Sequence, residues 1–121
     1  MIRVALIEDN LSYLKAMQAL IGSKTDLLLV YTAENLKNID QLCQASPDVI
    51  ILDIDLPGIN GIEGVRFLRD NKITAGIFML TVFEDDEKIF SAIKAGADGY
   101  LLKKDPPDKI IEAIEAVYRG E

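Results

Sequence analysis

Acidic side chains stand in two short clusters, each directly after an apolar run. Glu8 and Asp9 follow the first run of the chain, and Asp53 and Asp55 follow a run near its middle. Grouped carboxylates repel one another, so a hard divalent cation is their natural counter-charge. Mg²⁺, or Mn²⁺ in its place, suits one or two direct carboxylates, with waters and phosphate oxygens as the remaining ligands. The pattern therefore predicts a metal site built from oxygen atoms.

A hydroxyl and an ammonium group complete the set. Thr81 ends a further apolar run, and Lys103 follows the last one. A carboxylate can accept a phosphoryl group when a cation neutralises the phosphoryl oxygens and a lysine and a hydroxyl hold the rest. Asp53 is the best acceptor because it ends the run predicted to be the central strand. Any one such residue is usually a turn or helix-cap residue, so the prediction depends on the whole set.

The elements that must position these residues alternate along the chain. The apolar runs are rich in Ile, Val and Leu and barely alternate with polar residues, which is typical of strands buried on both faces. They lie at 4–7, 27–31, 49–52, 77–80 and 100–102. Strands that alternate with helices predict an α/β domain, a doubly wound five-stranded parallel sheet flanked by five helices. Parallel strands end at the same edge, where the chemistry would gather.

Between the strands, apolar residues recur at helical spacing. The predicted stripes are Leu11, Leu14, Met17 and Ile21; Leu36, Ile39, Leu42 and Cys43; Ile62, Val65 and Leu68; Ile89, Ala92 and Ile93; and Ile110, Ile114 and Val117. Asn10 or Ser12 is predicted to cap the first helix, Gly96 to close the fourth, and Pro106-Pro107 to open the fifth. No linker or repeat divides the chain, so residues 1–121 are predicted to be one domain.

Composition excludes several classes of function. The net charge is −7, from 20 acids against 13 bases, so we expect no direct contact of this domain with nucleic acid. The chain contains 0 His, which excludes Ser-His-Asp and Cys-His catalysis and a His-ligated zinc site. Cys43 is the 1 cysteine, so no internal disulfide can form, and we expect it in the core. Neither a membrane span nor a signal peptide is evident, so we expect a cytoplasmic protein.

The ordered motifs resemble a response-regulator receiver domain over essentially the whole chain. The matching segments are LIEDN at 6–10, DVIILDIDLPGINGIEG at 48–64, MLT at 79–81 and AGADGYLLKKDPPDKIIEAI at 95–114. The last segment is similar to the NarL/FixJ-type subfamily, whose receivers precede a helix-turn-helix DNA-binding domain of the LuxR type. The resemblance implies a flavodoxin-like fold with strand order 2-1-3-4-5.

The resemblance also implies a role for each acidic residue. Asp53 would be the phosphoacceptor and a ligand of Mg²⁺. Asp9 would bind the ion directly, and Glu8 would act near it, through water. Asp55 would offer its backbone carbonyl to the metal.

The remaining implied roles concern signalling. Thr81 would hydrogen-bond the phosphoryl group, Lys103 would pair with it, and Tyr100 would be an aromatic switch that follows Thr81. A sensor histidine kinase would supply the phosphoryl group. The surface of the fourth helix, fifth strand and fifth helix would then change and control an output, with a homodimer as one expected form. Without the motif, Tyr100 would be an ordinary half-buried strand aromatic.

The extent of the whole protein stays open. We expect a fragment of a longer transcription regulator, with a stand-alone receiver as the alternative. The fifth helix carries an apolar face broader than one stripe, comprising Ile110, Ile111, Ile114, Val117 and Tyr118. This face would make either additional core contacts or a surface for a dimer or an effector domain.

Four positions depart from the pattern of the family. Glu8 replaces the commoner Asp, and Val82 stands where a smaller residue is frequent, which would tighten access to the acceptor. Phe83 could shield an acyl phosphate from water. Lys104 replaces the Pro that often follows the lysine, so the geometry of the Lys103-Lys104 peptide is open, because a cis bond without Pro costs about 2.5–4 kcal/mol.

Three alternative functions remain to be tested. The DxD motif with Asp53 as nucleophile and Asp55 as general acid also resembles haloacid-dehalogenase-type phosphatases, although that family carries the motif near the start of the domain. A receiver-like binding module that no longer accepts phosphate is the second alternative, and failure to bind Mg²⁺ would favour it. A flavin carrier is the third, but the loop EDNLSY at 8–13 lacks the Ser/Thr/Gly-rich phosphate cradle.

Overall fold

The computed structural model describes residues 1–82 and 85–120. In chain order the elements are β1 (Ile2–Ile7), α1 (Leu11–Gly22), β2 (Leu27–Ala33), α2 (Ile39–Gln44), β3 (Val49–Asp53), α3 (Gly61–Asp70), β4 (Gly76–Thr81), α4 (Asp86–Ala95), β5 (Gly99–Leu102) and α5 (Pro107–Tyr118). The strands form a sheet in the order β2-β1-β3-β4-β5, and neighbouring strands are parallel. The predicted flavodoxin-like fold is confirmed.

The strand order reverses between β1 and β3. The chain first moves outward from β1 to β2 and then returns past β1 to add β3, β4 and β5. In a doubly wound sheet, such a reversal opens a crevice outside the carboxyl ends of the strands, because the two crossovers leave in opposite directions. In this sheet the reversal lies between β1 and β3, so the general rule predicts the crevice beyond the ends of these two strands.

Two apolar cores lie on opposite faces of the sheet. Helices α1 and α5 cover one face, and α2, α3 and α4 cover the other. Successive residues of β1 alternate between them: Val4 and Leu6 belong to the first core, and Ala5 and Ile7 belong to the second. This alternation explains the near-continuous apolar runs, because both faces of the inner strands are buried.

Three residues of the predicted stripes lie elsewhere than expected. Leu11 is 53% exposed because it is the first residue of α1 and lies beyond the part of the helix that faces the sheet. Ile93 is 44% exposed because it lies about 100° around α4 from the buried Ala92 and falls outside the side of this helix that faces the core. Leu36 is buried but precedes α2, so it packs from a loop.

The predicted helix boundaries are confirmed at three ends. Asn10 is the N-cap of α1, and its side chain accepts a hydrogen bond from the backbone N–H of Tyr13 at 3.1 Å. Gly96 closes α4 with a φ of 120°, a conformation that costs other residues free energy. Pro106 is the N-cap of α5 and Pro107 is its first residue.

The broad apolar face of α5 is largely core. Ile110, Ile111 and Ile114 are buried, and Val117 packs partly buried against the same core. Tyr118 is the exception, at 51% exposed. Additional core contact, one of the two alternatives, therefore explains most of that face.

Two expectations concern the rest of the chain. Cys43 packs partly buried against the core on the α2 side of the sheet, as predicted. Among the described helices, none has the length and apolar character that crossing a bilayer requires.

Candidate functional site

The predicted site residues meet at the carboxyl edge of the sheet. In the parallel ladders, Asp53 is level with Leu80 and Thr81 is level with Leu102, so adjacent strands end together. The side chains along this edge, in the order of the strands, are Glu8, Asp53, Thr81 and Lys103. The fold therefore brings together residues that are up to about a hundred positions apart in the sequence.

Close packing of α3 holds the end of β3. The backbone N–H of Gly61, the first residue of α3, donates to the carbonyl of Ile54 at 2.9 Å. A Cβ at this position would overlap the carbonyl oxygen of Asp53 and come within 2.8 Å of Ile54 Cα and Met79 Cε. Glycine is required here because the helix starts directly against the strand that carries Asp53.

The Asp53 carboxylate is 4% exposed and has a partner on each oxygen. Its Oδ1 accepts a hydrogen bond from the backbone N–H of Asp55 at 2.9 Å, and its Oδ2 accepts one from Nζ of Lys103 at 3.0 Å. The Lys103 ammonium also forms an ion pair with Oε1 of Glu8. Lys103 therefore bridges the two buried carboxyl groups.

Glu8 is the most deeply buried acid of the site, at 0% exposed. Its Oε2 accepts a hydrogen bond from the backbone N–H of Asn10 at 3.0 Å. Its Oε1 has the ion pair with Lys103 but no hydrogen-bond partner within the described part of the chain. The Lys103 ammonium is therefore the charge that compensates this buried oxygen in the described structure, and if the lysine moved away, the oxygen would need a proton or another cation.

The two buried carboxyl groups have opposite pKa shifts. Burial, and after it the neighbouring Asp53 carboxyl, raises the pKa of Glu8 to about 7, although Lys103 and the Asn10 N–H act to lower it. Burial also acts to raise the pKa of Asp53, but its contacts with Glu8, the Asp55 N–H and Lys103 together hold it below its usual value. The opposite directions of the two shifts favour Glu8 over Asp53 as the carboxyl group that binds a proton first as the pH falls.

The lysine stays charged in this setting. Burial alone would lower the pKa of the Lys103 ammonium, but the contacts with Glu8 and Asp53 outweigh that effect and raise the pKa above its usual value. Below that pKa the site retains a fixed positive charge beside Asp53, as the pairing of a lysine with a phosphoryl group requires.

The acidic cluster fits a hard divalent cation. One carboxylate oxygen from each of Glu8, Asp9 and Asp53 lies within 4.8 Å of the other two. The donors are all oxygen atoms, Asp9 is exposed towards solvent, and Oε1 of Glu8 lacks a hydrogen bond. Oxygen ligands with room for water are what Mg²⁺ prefers. The cluster is thus compatible with Mg²⁺, and ligation by the backbone carbonyl of Asp55 stays a prediction.

Thr81 and Tyr100, the two residues predicted to act as a switch, lie on the adjacent strands β4 and β5. Thr81 is buried at the end of β4, and its carbonyl accepts a hydrogen bond from the backbone N–H of Lys103 at 2.9 Å. Tyr100 lies on β5, level with Met79 of β4, and is 45% exposed, an exposure that also fits an ordinary half-buried strand aromatic. Their switching roles stay predictions.

The positions that depart from the family pattern have mixed outcomes. Val82 is 54% exposed directly after β4. Phe83 lies outside the described residues, so its shielding role stays a prediction. No cis peptide occurs in the described ranges, and the Lys103-Lys104 bond is trans.

Sequence reasoning missed two neighbours of the site. The ring centroid of Tyr13 lies 5.1 Å from Nζ of Lys103. Lys88, in the first turn of α4, donates to Oδ1 of Asp55 at 3.2 Å. No helical spacing linked Tyr13 to the site, because its contact is with Lys103, which follows the last strand. The Lys88 contact joins segments 33 positions apart, and no local pattern indicates it.

Comparisons with known proteins agree with this geometry. The family described as "Response regulator receiver domain" matches residues 4–115. The transcriptional regulatory protein YxjL of Bacillus subtilis (strain 168) is 37% identical over 121 residues, which are 99% of this chain and 56% of that protein. The nitrate/nitrite response regulator NarL of Escherichia coli (strain K12) is 33% identical over 119 residues, which are 98% of this chain and 55% of that protein.

A solved structure extends the agreement to the fold. The signal receiver domain of the NarL response regulator from Mycobacterium tuberculosis superposes with a TM-score of 0.93, at 21% identity, over 99% of this chain and 98% of that one. The chain spans about half the length of the curated relatives it matches. The predicted similarity to NarL- and LuxR-type regulators is confirmed, and it favours a signalling domain over a phosphatase or a flavin carrier. The chain belongs to the family of response regulator receiver domains.

Proposed function

We propose that this domain is a phosphorylation switch in which Asp53 accepts a phosphoryl group from a sensor histidine kinase. In the transfer, the P–N bond of a phosphohistidine breaks as a carboxylate oxygen of Asp53 bonds to phosphorus. The kinase must supply the histidine, because this chain has 0 His. The observation that carries the proposal is the buried Asp53 carboxylate, which ends the central strand in direct contact with Lys103 and beside two further acids.

Each neighbour of Asp53 would have a defined task. Asp9 and Asp53 would hold Mg²⁺ directly with the Asp55 carbonyl, and Glu8 would act through water. The cation would neutralise charge on the phosphoryl oxygens. Lys103 would pair with the phosphoryl group as its ammonium leaves Glu8, and the Thr81 hydroxyl would hydrogen-bond the same group.

The switch would work through a shift between two states. A phosphoryl dianion on Asp53 makes new contacts with Thr81 and Lys103, and this differential interaction is what favours the active state. Tyr100 would move from its exposed position towards the space that Thr81 leaves. The surface of α4, β5 and α5 would then promote a homodimer or contact an effector domain. By analogy with the longer relatives, the output would be transcription through a DNA-binding domain.

The proposal is tested by intact mass after incubation with Mg²⁺ and a small-molecule phosphodonor. We expect one added phosphoryl group in the wild type and none in Asp53→Asn or in the presence of EDTA. Absence of an adduct in the wild type, even with a cognate kinase, would favour the alternative of a receiver-like binding module. Titration with Mg²⁺ would then show whether the metal site survives.

The switching step needs a separate measurement. Beryllofluoride with Mg²⁺ mimics the phosphoryl group, and NMR signals of the Tyr100 ring report its environment. We expect a shift towards a buried environment in the wild type that Thr81→Ala abolishes. Unchanged Tyr100 signals in a wild-type protein that binds beryllofluoride would contradict the proposed role of Tyr100.

A further inference from the structure

Tyr13 contacts the site although none of the roles above involves it. It is the third residue of α1, and Nζ of Lys103 lies 5.1 Å from the centroid of its ring. Tyr13 and Lys103 also line a cavity of about 140 Å³ together with Met17, Asp105 and Ile110. The aromatic ring therefore forms part of the wall around the lysine, between α1 and the start of α5.

The environment of the ammonium is asymmetric. Glu8 and Asp53 attract Lys103 from the carboxyl edge of the sheet, and the Tyr13 ring contacts it from α1. The Lys103 side chain is 14% exposed, so little water competes for the charge. An ammonium within about 6 Å of a ring centroid is attracted by the ring quadrupole, and the attraction is stronger in desolvated sites.

The hydroxyl of Tyr13 does not explain why a tyrosine occupies this position. Its Oη is buried and has no hydrogen-bond partner among the described residues. An unsatisfied buried hydroxyl costs free energy, so a residue chosen only for packing would be better as an aliphatic one. The contact with Lys103 is the favourable polar interaction of this side chain in the described structure, and it belongs to the ring.

We propose that Tyr13 is a positioning residue for phosphoryl transfer, whose ring holds the Lys103 ammonium aimed at Asp53. This inference rests on the proposed function of Asp53. As a phosphoryl group arrives, Lys103 must leave Glu8 without swinging towards the cavity beside α1, and the ring face opposes that movement. Phenylalanine supplies the same ring without the buried hydroxyl, so Tyr13→Phe should keep the function that Tyr13→Leu loses.

The contact itself is tested by NMR of the Lys103 ε-methylene protons. An aromatic face shields protons above it, so we expect an upfield shift in the wild type and in Tyr13→Phe that Tyr13→Leu removes. Tyr31→Leu is the matched control, because Tyr31 packs partly buried against the other core. An unshifted ε-methylene in the wild type would overturn the proposal, and this readout does not depend on phosphorylation.

The consequence is tested by the rate of phosphorylation from a small-molecule donor with Mg²⁺. We expect Tyr13→Leu to lower the maximal rate about threefold to thirtyfold, in line with the strength of a desolvated cation–π contact, with a smaller change in the donor concentration at half-maximal rate. Tyr13→Phe should restore the rate to within about twofold, an estimate that assumes the ring carries the contact. Tyr31→Leu should not change the rate, and urea unfolding verifies that each variant is folded.

The outcomes separate the two proposals. A Tyr13→Leu protein that loses the upfield shift but keeps the wild-type rate overturns the positioning role alone. Equal losses in Tyr13→Leu and Tyr13→Phe also overturn it, because they would assign the effect to the hydroxyl. A wild-type protein that no donor or kinase phosphorylates overturns the proposed function and the positioning role with it.

Discussion

The two edges of the sheet differ in how completely their charged side chains are paired. At the amino edge, Arg69 and Asp98 are almost completely satisfied by hydrogen bonds. At the carboxyl edge, Glu8 and Asp53 share Lys103 as their one close cation among the described residues and remain incompletely compensated. The contrast indicates that the first edge serves stability and that the second retains unfavourable electrostatics for function.

At the amino edge, one guanidinium joins four segments. The Nε of Arg69 donates to the carbonyl of Gly96 at 2.9 Å, and one terminal nitrogen donates to the carbonyls of Ile73 and Ala75, each at 2.8 Å. The other terminal nitrogen donates to Oδ2 of Asp98 at 2.9 Å. The end of α4, the loop before β4 and the start of β5 are thus attached to α3 by one side chain.

At the carboxyl edge, acids outnumber the base that contacts them. Glu8, Asp9 and Asp53 each place an oxygen within 4.8 Å of the others, and Lys103 compensates two of them. Binding a cation at the carboxyl edge would remove the repulsion among these acids. At the amino edge the cation, Arg69, is already present, so a substitution there can only remove favourable contacts. Substitutions at the amino edge should therefore lower stability, whereas removal of an acid at the carboxyl edge should raise it.

The largest effect is expected from Arg69→Ala. It removes the Arg69 donor from three carbonyls and leaves the Asp98 carboxylate with only the backbone N–H of Ile77 among the described donors, so we expect a loss of about 3 kcal/mol in the free energy of unfolding. Urea unfolding measures it, with Arg66→Ala on the exposed side of the same helix as the control. A loss no larger than that of the control would contradict the assignment of the amino edge to stability.

An increase in the free energy of unfolding is expected from Glu8→Gln when no metal is present. Because the folded pKa of Glu8 is raised from 4.5 to about 7, the unfolded chain ionises first as pH rises, and stability falls between those values. Removing the charge should therefore stabilise the fold at pH 8 by roughly 1–3 kcal/mol and change it little at pH 5.

The measurement is urea unfolding in EDTA at both pH values, with the exposed Glu112→Gln as the control. Destabilisation of Glu8→Gln at pH 8 would show that the ionised Glu8 is favourable in the fold. That result would remove the contrast between the two edges.

A smaller effect is expected in the binding of Mg²⁺. Glu8 must lose its proton before it can face a cation, so the affinity should rise with pH through the region near its pKa of about 7. Between pH 6 and pH 8 the ionised fraction changes about tenfold, and we expect a similar change in apparent affinity. Calorimetry in buffers of different ionisation enthalpy also counts the released protons, and equal affinities at the two pH values would contradict the prediction.

The smallest effect is expected from Lys88→Met. Its ion pair with Asp55 lies over the carboxyl edge, and both side chains are 47% exposed, so solvent screens the attraction. We expect the substitution to change the free energy of unfolding by less than about 1 kcal/mol, and we expect this change to be smaller still at high salt. A loss as large as that of Arg69→Ala would mean that the carboxyl edge also holds the fold together.

Most of the fold and the members of the site were predictable from local patterns. Apolar runs identify the strands because both faces of the inner strands are buried, and the residues directly after them must lie at one edge. The stripes of α1 and α4 were wrong at Leu11 and Ile93, because helical spacing does not state where a helix leaves the sheet or which of two adjacent apolar residues faces it. Leu36 was assigned to α2 for a similar reason, since a buried loop residue has no periodic signature.

The sequence by itself determined the βα order and the acidic and basic residues of the carboxyl edge. Only the tertiary structure decided that Lys103 bridges Glu8 and Asp53, that the Tyr13 ring contacts its ammonium and that Arg69 joins four segments. The reason is physical: periodicity reports burial along one element, whereas pairing and desolvation depend on distances between side chains from different elements.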